Sequence, residues 1–154
     1  MIRYCLDHWE RNKDILKKYF LSKDEEFIKN LSYKSICYFT FSYILDGDEF
    51  KDDISLNLKE ITVIDNGDYQ GTLLFLIPFD RYQPSEYEYF MTYIGYGSCS
   101  VCDALLSLQS QDTKEEMIDD LMLICKDLIS NCIVPYNTGW RYDEKWEVIK
   151  NGNN

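Results

Sequence analysis

The sequence predicts an α+β domain in which a short antiparallel sheet of about three strands, with one hairpin, packs against flanking helices. Three observations predict this class. Apolar residues recur at helical spacing near both ends of the chain. Between them lie apolar runs typical of strands and an Asn-Gly pair typical of hairpins. The 154 residues match one domain, expected to span residues 1–150, with a frayed tail at 151–154.

Two helical segments are predicted at the start of the chain. Residues 2–20 alternate apolar and charged side chains at helical spacing, which predicts an amphipathic helix with His8 on its surface. A second helix is expected to begin after residues 22–25 and to continue in one register to Ile44. Residues 36–41 are also β-prone, so strand is the alternative there.

The first two strands are predicted on either side of a tight turn. Residues 60–63 alternate apolar with polar side chains, and Asn66-Gly67 predicts the turn of the hairpin. Residues 72–77 are apolar on both faces, which favours a central strand covered on each side. Pro78 is expected to end this strand because proline has no N–H to donate.

A third strand is predicted over residues 87–94. It places a row of tyrosines, including Tyr89 and Tyr93, on one face and Phe90 on the other. The row favours cross-strand packing, with a partly exposed binding stripe as the alternative, since tyrosine is enriched at interfaces.

The late helix is predicted to begin at Thr113, because residues 113–116 have the form of a capping box. Pro135 makes its continuation costly. Its buried face is expected to comprise Met117, Leu121, Ile124, Cys125, Leu128 and Cys132.

Residues 93–105 (YIGYGSCSVCDAL) join the third strand to a helical turn and carry two cysteines three positions apart. The glycines and serines predict a formed loop, either structural or for binding, and Asp103 favours the start of the next helix. The candidate binding residues of the loop are Gly97, Ser98, Cys99, Ser100, Cys102 and Asp103.

Redox and metal chemistry are weaker interpretations of Cys99 and Cys102. A thioredoxin-like site needs an upstream βαβ unit, and zinc needs four ligands, whereas the chain has one such pair and a single histidine. We therefore expect no metal, no cofactor and no catalytic residue. The six cysteines are expected to be reduced thiols.

The net charge of the chain limits the kinds of partner that it is expected to bind. Sixteen basic and 27 acidic residues give a formal charge of -11, which repels nucleic acid and anionic membranes but suits a protein with a basic surface. No run approaches the ~20 apolar residues of a membrane span, and the first residues lack a secretory signal, so we expect a cytoplasmic protein. The candidate acidic clusters are Asp46, Asp48, Glu49, Asp52 and Asp53, and Glu115, Glu116, Asp119 and Asp120, each of which is alternatively a solvated face.

Four segments carry a resemblance to a known family: residues 67–74 (GDYQGTLL), 77–84 (IPFDRYQP), 91–93 (MTY) and 96–103 (YGSCSVCD). They resemble a family of small acidic proteins encoded by bacteriophages and prophages, and the likeness extends more weakly to the first and last predicted helices. Val101 departs from the family pattern, in which glycine is common. No established reaction or ligand comes with this resemblance.

The resemblance implies a role similar to that of phage inhibitors of host machinery, including anti-CRISPR proteins. Together with the charge, it predicts a non-enzymatic accessory protein that binds and inhibits a host defence or nucleic-acid-handling protein, by acidic mimicry of nucleic acid. The alternative is a binder that sequesters a signalling nucleotide in the loop at Gly97-Ser98-Cys99-Ser100. An enzyme using Cys99 and Cys102 for redox chemistry ranks third.

Overall fold

The computed structural model describes residues 2–45, 55–86 and 88–133. Within these ranges the predicted α+β class is confirmed: helices pack against a three-stranded antiparallel sheet. The helices are α1 (Ile2–Leu21), α2 (Glu25–Lys29), α3 (Tyr33–Ile44), a short 3-10 helix (Leu58–Glu60), α4 (Ala104–Gln109) and α5 (Lys114–Ser130). The strands are β1 (Thr62–Gly67), β2 (Gly71–Pro78) and β3 (Tyr89–Tyr96).

The sheet has the order β1-β2-β3, so β2 is central, and Pro78 is its last residue, as predicted. Leu76 of β2 pairs with Met91 of β3 and with Thr62 of β1. The third strand lies two residues later than the predicted span of 87–94. Pairing with β2 sets its limits, and the alternating apolar pattern alone did not fix them.

The hairpin turn is not at Asn66-Gly67, and that prediction is wrong. Strand β1 continues through both residues, Gly67 pairs with Gly71, and residues 68–70 form the turn. A Cβ atom on Gly67 would lie 2.2 Å from the Gln70 carbonyl oxygen, and one on Gly71 would lie 2.2 Å from that of Asn66. The glycines serve the close approach of the two strands, and the turn follows them.

One face of the sheet packs on the helices. Phe75 and Ile77 of β2 and Phe90 of β3 are buried, and the ring of Phe90 meets that of Phe41 on α3 edge to face, with centroids 5.3 Å apart. The Thr92 hydroxyl donates to the Leu128 carbonyl of α5. Leu74 and Leu76, on the opposite face, are only half-buried. Within the described ranges, therefore, the helices cover one face of the central strand, whereas the sequence predicted cover on both.

The single helix expected from residue 22 to Ile44 is two helices. Residues 30–32 separate α2 from α3, and Ser32 caps α3 by accepting a hydrogen bond from the Ser35 N–H while the Ser35 hydroxyl accepts from the Ser32 N–H. This reciprocal cap makes a new helix start more favourable than continuation. The buried residues of α2 and of α3 pack in the same hydrophobic core on either side of the break.

The prediction that His8 lies on the helix surface is also wrong, since this residue is only 5% exposed. Helix α1 packs against both α3 and α5, so its buried stripe is wider than one neighbour would require. His8 lies within that stripe beside Trp9.

Four cysteines are buried free thiols, and the expected core role is confirmed for Cys125 on α5 and for Cys132, which lies two residues beyond the end of that helix. Removal from water disfavours the thiolate, which raises the pKa of Cys125 to about 12 and raises the pKa values of Cys37 and Cys132. These thiols are therefore held in the neutral form at ordinary pH.

The substitution Gly71→Ala is expected to lower the free energy of unfolding by about 1–3 kcal/mol, because its Cβ forces the hairpin backbone to shift. Gly95→Ala is the matched control, since a Cβ there meets nothing nearer than 3.8 Å. Urea denaturation of both variants measures the difference. Equal stabilities would contradict the proposed close approach.

Alkaline pH is expected to destabilise the fold through the buried thiols. Their pKa values are raised on folding, so the stabilisation is complete below the unfolded-state pKa of about 8.5 and is lost as pH rises toward the folded values. The loss approaches about 1.4 kcal/mol per pH unit for each thiol. Urea denaturation between pH 7 and 10 measures this slope, which Cys125→Ala should make shallower; an unchanged slope would refute the assignment.

Candidate functional site

The loop that links β3 to α4 spans residues 97–103 and closes on itself. The N–H groups of Cys102 and Asp103 both donate to the Cys99 carbonyl, at 3.0 and 2.8 Å. This turn places the Cα atoms of Cys99 and Cys102 5.2 Å apart and brings their sulfur atoms within reach of a disulfide bond. The expectation of reduced thiols therefore stays a prediction for this pair.

Asp103 is the most connected residue of the loop and is only 6% exposed. Its Oδ1 accepts hydrogen bonds from the Tyr33 hydroxyl at 2.8 Å and from the N–H groups of Leu105 and Leu106 at 2.9 and 3.0 Å. Its Oδ2 accepts from the Gly97 N–H at 3.0 Å. The predicted role of Asp103 at the start of a helix is confirmed, because it is the N-cap of α4.

Sequence reasoning did not find Tyr33, which opens α3 and lies 70 residues before Asp103. Its hydroxyl donates to Asp103 and accepts from the Leu105 N–H at 3.1 Å. Burial, reinforced by the bond to the carboxylate, raises the pKa of Tyr33. No local pattern could have paired these two residues.

Gly97 is required by the packing of the loop. A Cβ atom there would lie 2.6 Å from the carbonyl oxygen of Cys102 and 2.7 Å from its Sγ. The Gly97 N–H is bound by Asp103, and the Cys99 N–H points at the Cys102 sulfur at 2.9 Å. The nucleotide-binding alternative required free N–H groups in this loop. Two of them, those of Gly97 and Cys99, are engaged within the loop, while Ser98 and Ser100 are exposed.

A cleft of about 360 Å³ lies where the loop meets β3, α4 and α5. Its lining includes three of the loop residues predicted as a binding site, together with residues from other elements that lie beside them only in the folded chain. The former are Ser100, Cys102 and Asp103, and the latter include Gly95, Ser107, Asp127 and Asn131. Sequence analysis missed the α5 residues because their helical pattern marks them as polar surface.

The acidic residues predicted on the late helix are brought together at the start of α5. Glu115, Glu116 and Asp119 are exposed, and the ammonium group of Lys17 lies 3.8 Å from Asp119. Asp120 is half-buried and accepts a hydrogen bond from the Gln111 amide at 2.7 Å, so it belongs to the packing of the helix start. The other predicted cluster, Asp46, Asp48, Glu49, Asp52 and Asp53, lies outside the described residues.

A second pair of carboxylates, not predicted from the sequence, lies at the same end of the molecule. The Lys114 ammonium group donates to the Leu21 carbonyl at 2.8 Å, which ties the start of α5 to the end of α1. Helix α2 begins four residues after Leu21 and carries exposed Glu25 and Glu26 in its first turn. We call the exposed carboxylates of these two helix starts the acidic face: Glu25, Glu26, Glu115, Glu116 and Asp119.

The predicted tyrosine row lies on the sheet face opposite the helices. Tyr93 is 39% exposed and pairs across the strands with Leu74, while Tyr89 is half-buried opposite Pro78. The geometry accommodates both the packing role and the binding role that the sequence left open.

Within residues 2–45, 55–86 and 88–133, no group of three His, Cys, Asp or Glu side chains is placed to hold a metal ion. In the same part of the chain, no helix has the length and apolar character that crossing a membrane requires.

Comparison with known proteins finds no matching family model, no matching curated protein and no matching solved structure. The resemblance to phage-encoded proteins therefore stays a prediction, and function is inferred from the described residues themselves.

The substitution Asp103→Ala is expected to lower the free energy of unfolding by about 2–4 kcal/mol, because it removes the cap of α4 and leaves buried donors unpaired. Tyr33→Phe should cost about 1 kcal/mol, and the double variant should cost less than the sum. Urea denaturation of the wild type, the two single variants and the double variant measures the four free energies of unfolding that this comparison needs. Asp68→Ala, at an exposed turn position, is the control and should change stability by less than about 0.5 kcal/mol; strictly additive effects would show that Tyr33 and Asp103 act separately.

Proposed function

We propose that this protein is a non-enzymatic binding protein whose acidic face engages a basic surface of a partner protein. The observation that carries the proposal is the convergence of exposed carboxylates from two helix starts at one end of the fold, tied by the bond from Lys114 to Leu21. The net charge of -11 favours the same class of partner.

Carboxylates held on helices compete well for lysine and arginine side chains. Each helix start is fixed by a cap, with Asp24 accepting from the Phe27 N–H and Thr113 accepting from the Glu116 N–H. Rigid presentation reduces the entropy lost on binding, and opposite charge accelerates encounter. Such binding weakens as salt screens the charges.

The finer proposal is that the partner is a host defence protein or nucleic-acid-handling protein, and that this chain inhibits it inside the host cytoplasm. A groove that holds phosphates is lined by lysine and arginine, and carboxylates on a preformed scaffold occupy the same side chains. The resemblance to acidic phage proteins supports this anti-defence, anti-CRISPR-like role.

The exposed pair Cys99–Cys102 is the observation that bears on redox chemistry, the function ranked third from the sequence. Our proposal assigns the pair to loop structure. It follows that replacing both cysteines by serine should leave partner capture intact.

Reversal of charge on the acidic face is expected to weaken capture of the partner at least about tenfold, since several charge-assisted contacts become repulsive. The test variant is Glu115→Lys, Glu116→Lys, Asp119→Lys. It is compared with wild type by pull-down from a bacterial host, followed by affinity measurement on the protein identified by mass spectrometry, at low and high salt.

The matched control is Glu60→Lys, Asp68→Lys, Glu86→Lys, which changes net charge equally at exposed positions off the acidic face. Thermal unfolding verifies that both variants fold. Equal weakening in the two triple variants would assign binding to overall charge, and capture insensitive to salt and to both variants would refute the proposal.

A further inference from the structure

The outer edge of β3 is only partly covered. The N–H and C=O of Met91 both bond to Ile133, at 3.0 and 2.7 Å, so Met91 directs its backbone groups away from β2. In an antiparallel ladder this direction alternates, so Tyr93 and Gly95 face the same outer edge. The Tyr93 carbonyl accepts from the Asn131 side chain at 3.0 Å, but no hydrogen bond from Gly95 toward that edge occurs within the described ranges.

The open backbone of Gly95 borders the 360 Å³ cleft described above. The other walls carry polar groups: the hydroxyls of Ser100 and Ser107, the amide of Asn131 and the carboxylate of Asp127. A free N–H and a free carbonyl on a strand edge are the groups that an added strand uses. The volume suffices for a short stretch of extended chain with one side chain.

The charge of the cleft selects the occupant. Asp127 lies in the last turn of α5, where no basic residue balances the negative end of the helix dipole. Partial loss of water raises the pKa of Asp127 despite neighbouring Lys126, and no described basic side chain forms an ion pair with its carboxylate. A phosphate would be repelled here, whereas a lysine or arginine side chain would be attracted.

We propose that this cleft docks an extended segment of the basic partner, whose backbone pairs with Gly95 and whose lysine or arginine side chain contacts Asp127. The inference rests on the proposed function for the nature of the partner and adds a second contact, separate from the acidic face. Strand addition supplies affinity through main-chain bonds, and Asp127 supplies selectivity for a cation.

The probe is an arrayed set of fluorescent hexapeptides that alternate threonine and valine, with one lysine, arginine, glutamate or phosphoserine at each position in turn. Binding to the full chain is measured by fluorescence anisotropy. We expect the lysine and arginine peptides to bind and the glutamate and phosphoserine peptides not to bind.

The decisive variant is Gly95→Pro, which removes the outward N–H without breaking a bond to β2, a position where edge strands tolerate proline. We expect it to weaken binding of the basic peptides at least about tenfold, and Glu60→Gln, which removes a charge at an exposed position outside the cleft, to leave binding unchanged. Asp127→Asn should weaken the basic peptides about three- to tenfold. A second check does not depend on whether the Gly95→Pro variant folds: N-methylation of the peptide backbone should abolish binding to the wild-type protein.

The inference is overturned if no basic peptide binds, if binding persists in Gly95→Pro, or if the phosphoserine peptides bind best. Concentration-dependent dimerisation that Gly95→Pro abolishes would also overturn it, because a second copy would then occupy the edge. The triple variant of α5 should still bind the peptides. If it does so while capture of host protein is unaffected by charge, the proposed function fails and the docking cleft stands.

Discussion

The four hydrogen bonds to the Asp103 carboxylate hold together three parts of the chain, one of which lies 70 residues before Asp103 in the sequence. They join the first residue of α3, the end of β3 and the first turn of α4. A buried carboxylate is unfavourable unless donors surround it, so each of these elements is constrained to supply one. The position of the loop, the start of α4 and the mouth of the neighbouring cleft all depend on this arrangement.

Local sequence predicts the elements whose signals are themselves local. Thr113 caps α5 where the sequence indicated, Pro78 ends β2, and the buried stripe of α5 follows its helical spacing. The predictions that are wrong concern residues whose position depends on contacts between distant parts of the chain. His8 is buried because α1 has two neighbours, and the hairpin turn moves past Asn66-Gly67 because the strands close on a glycine pair. Neither cause is visible in a window of adjacent residues.

The residues of the candidate site likewise fall into those that local sequence could predict and those that it could not. Glycine, serine and cysteine content identified the loop at residues 97–103, and the carboxylates of α5 were identified by their charge. Tyr33, Asp127 and the exposed edge at Gly95 could not be predicted, since their roles arise only when separate elements meet. Net charge likewise predicts the sign of the partner's charge, whereas packing of α5 against α1 and α2, together with the bond from Lys114 to Leu21, brings the two sets of carboxylates to one end of the fold.

The hairpin turn offers practical access to the molecule. Residues 68–70 are exposed, and Tyr69 is 83% exposed beyond the glycine pair that closes the strands. Surface turns with few packing contacts tolerate insertion well. A fluorophore or an affinity handle placed between Asp68 and Tyr69 would lie outside the lining of the cleft and outside the acidic face, at the end of the sheet where Gly71 pairs with Tyr96, and would let the protein be immobilised in one known orientation.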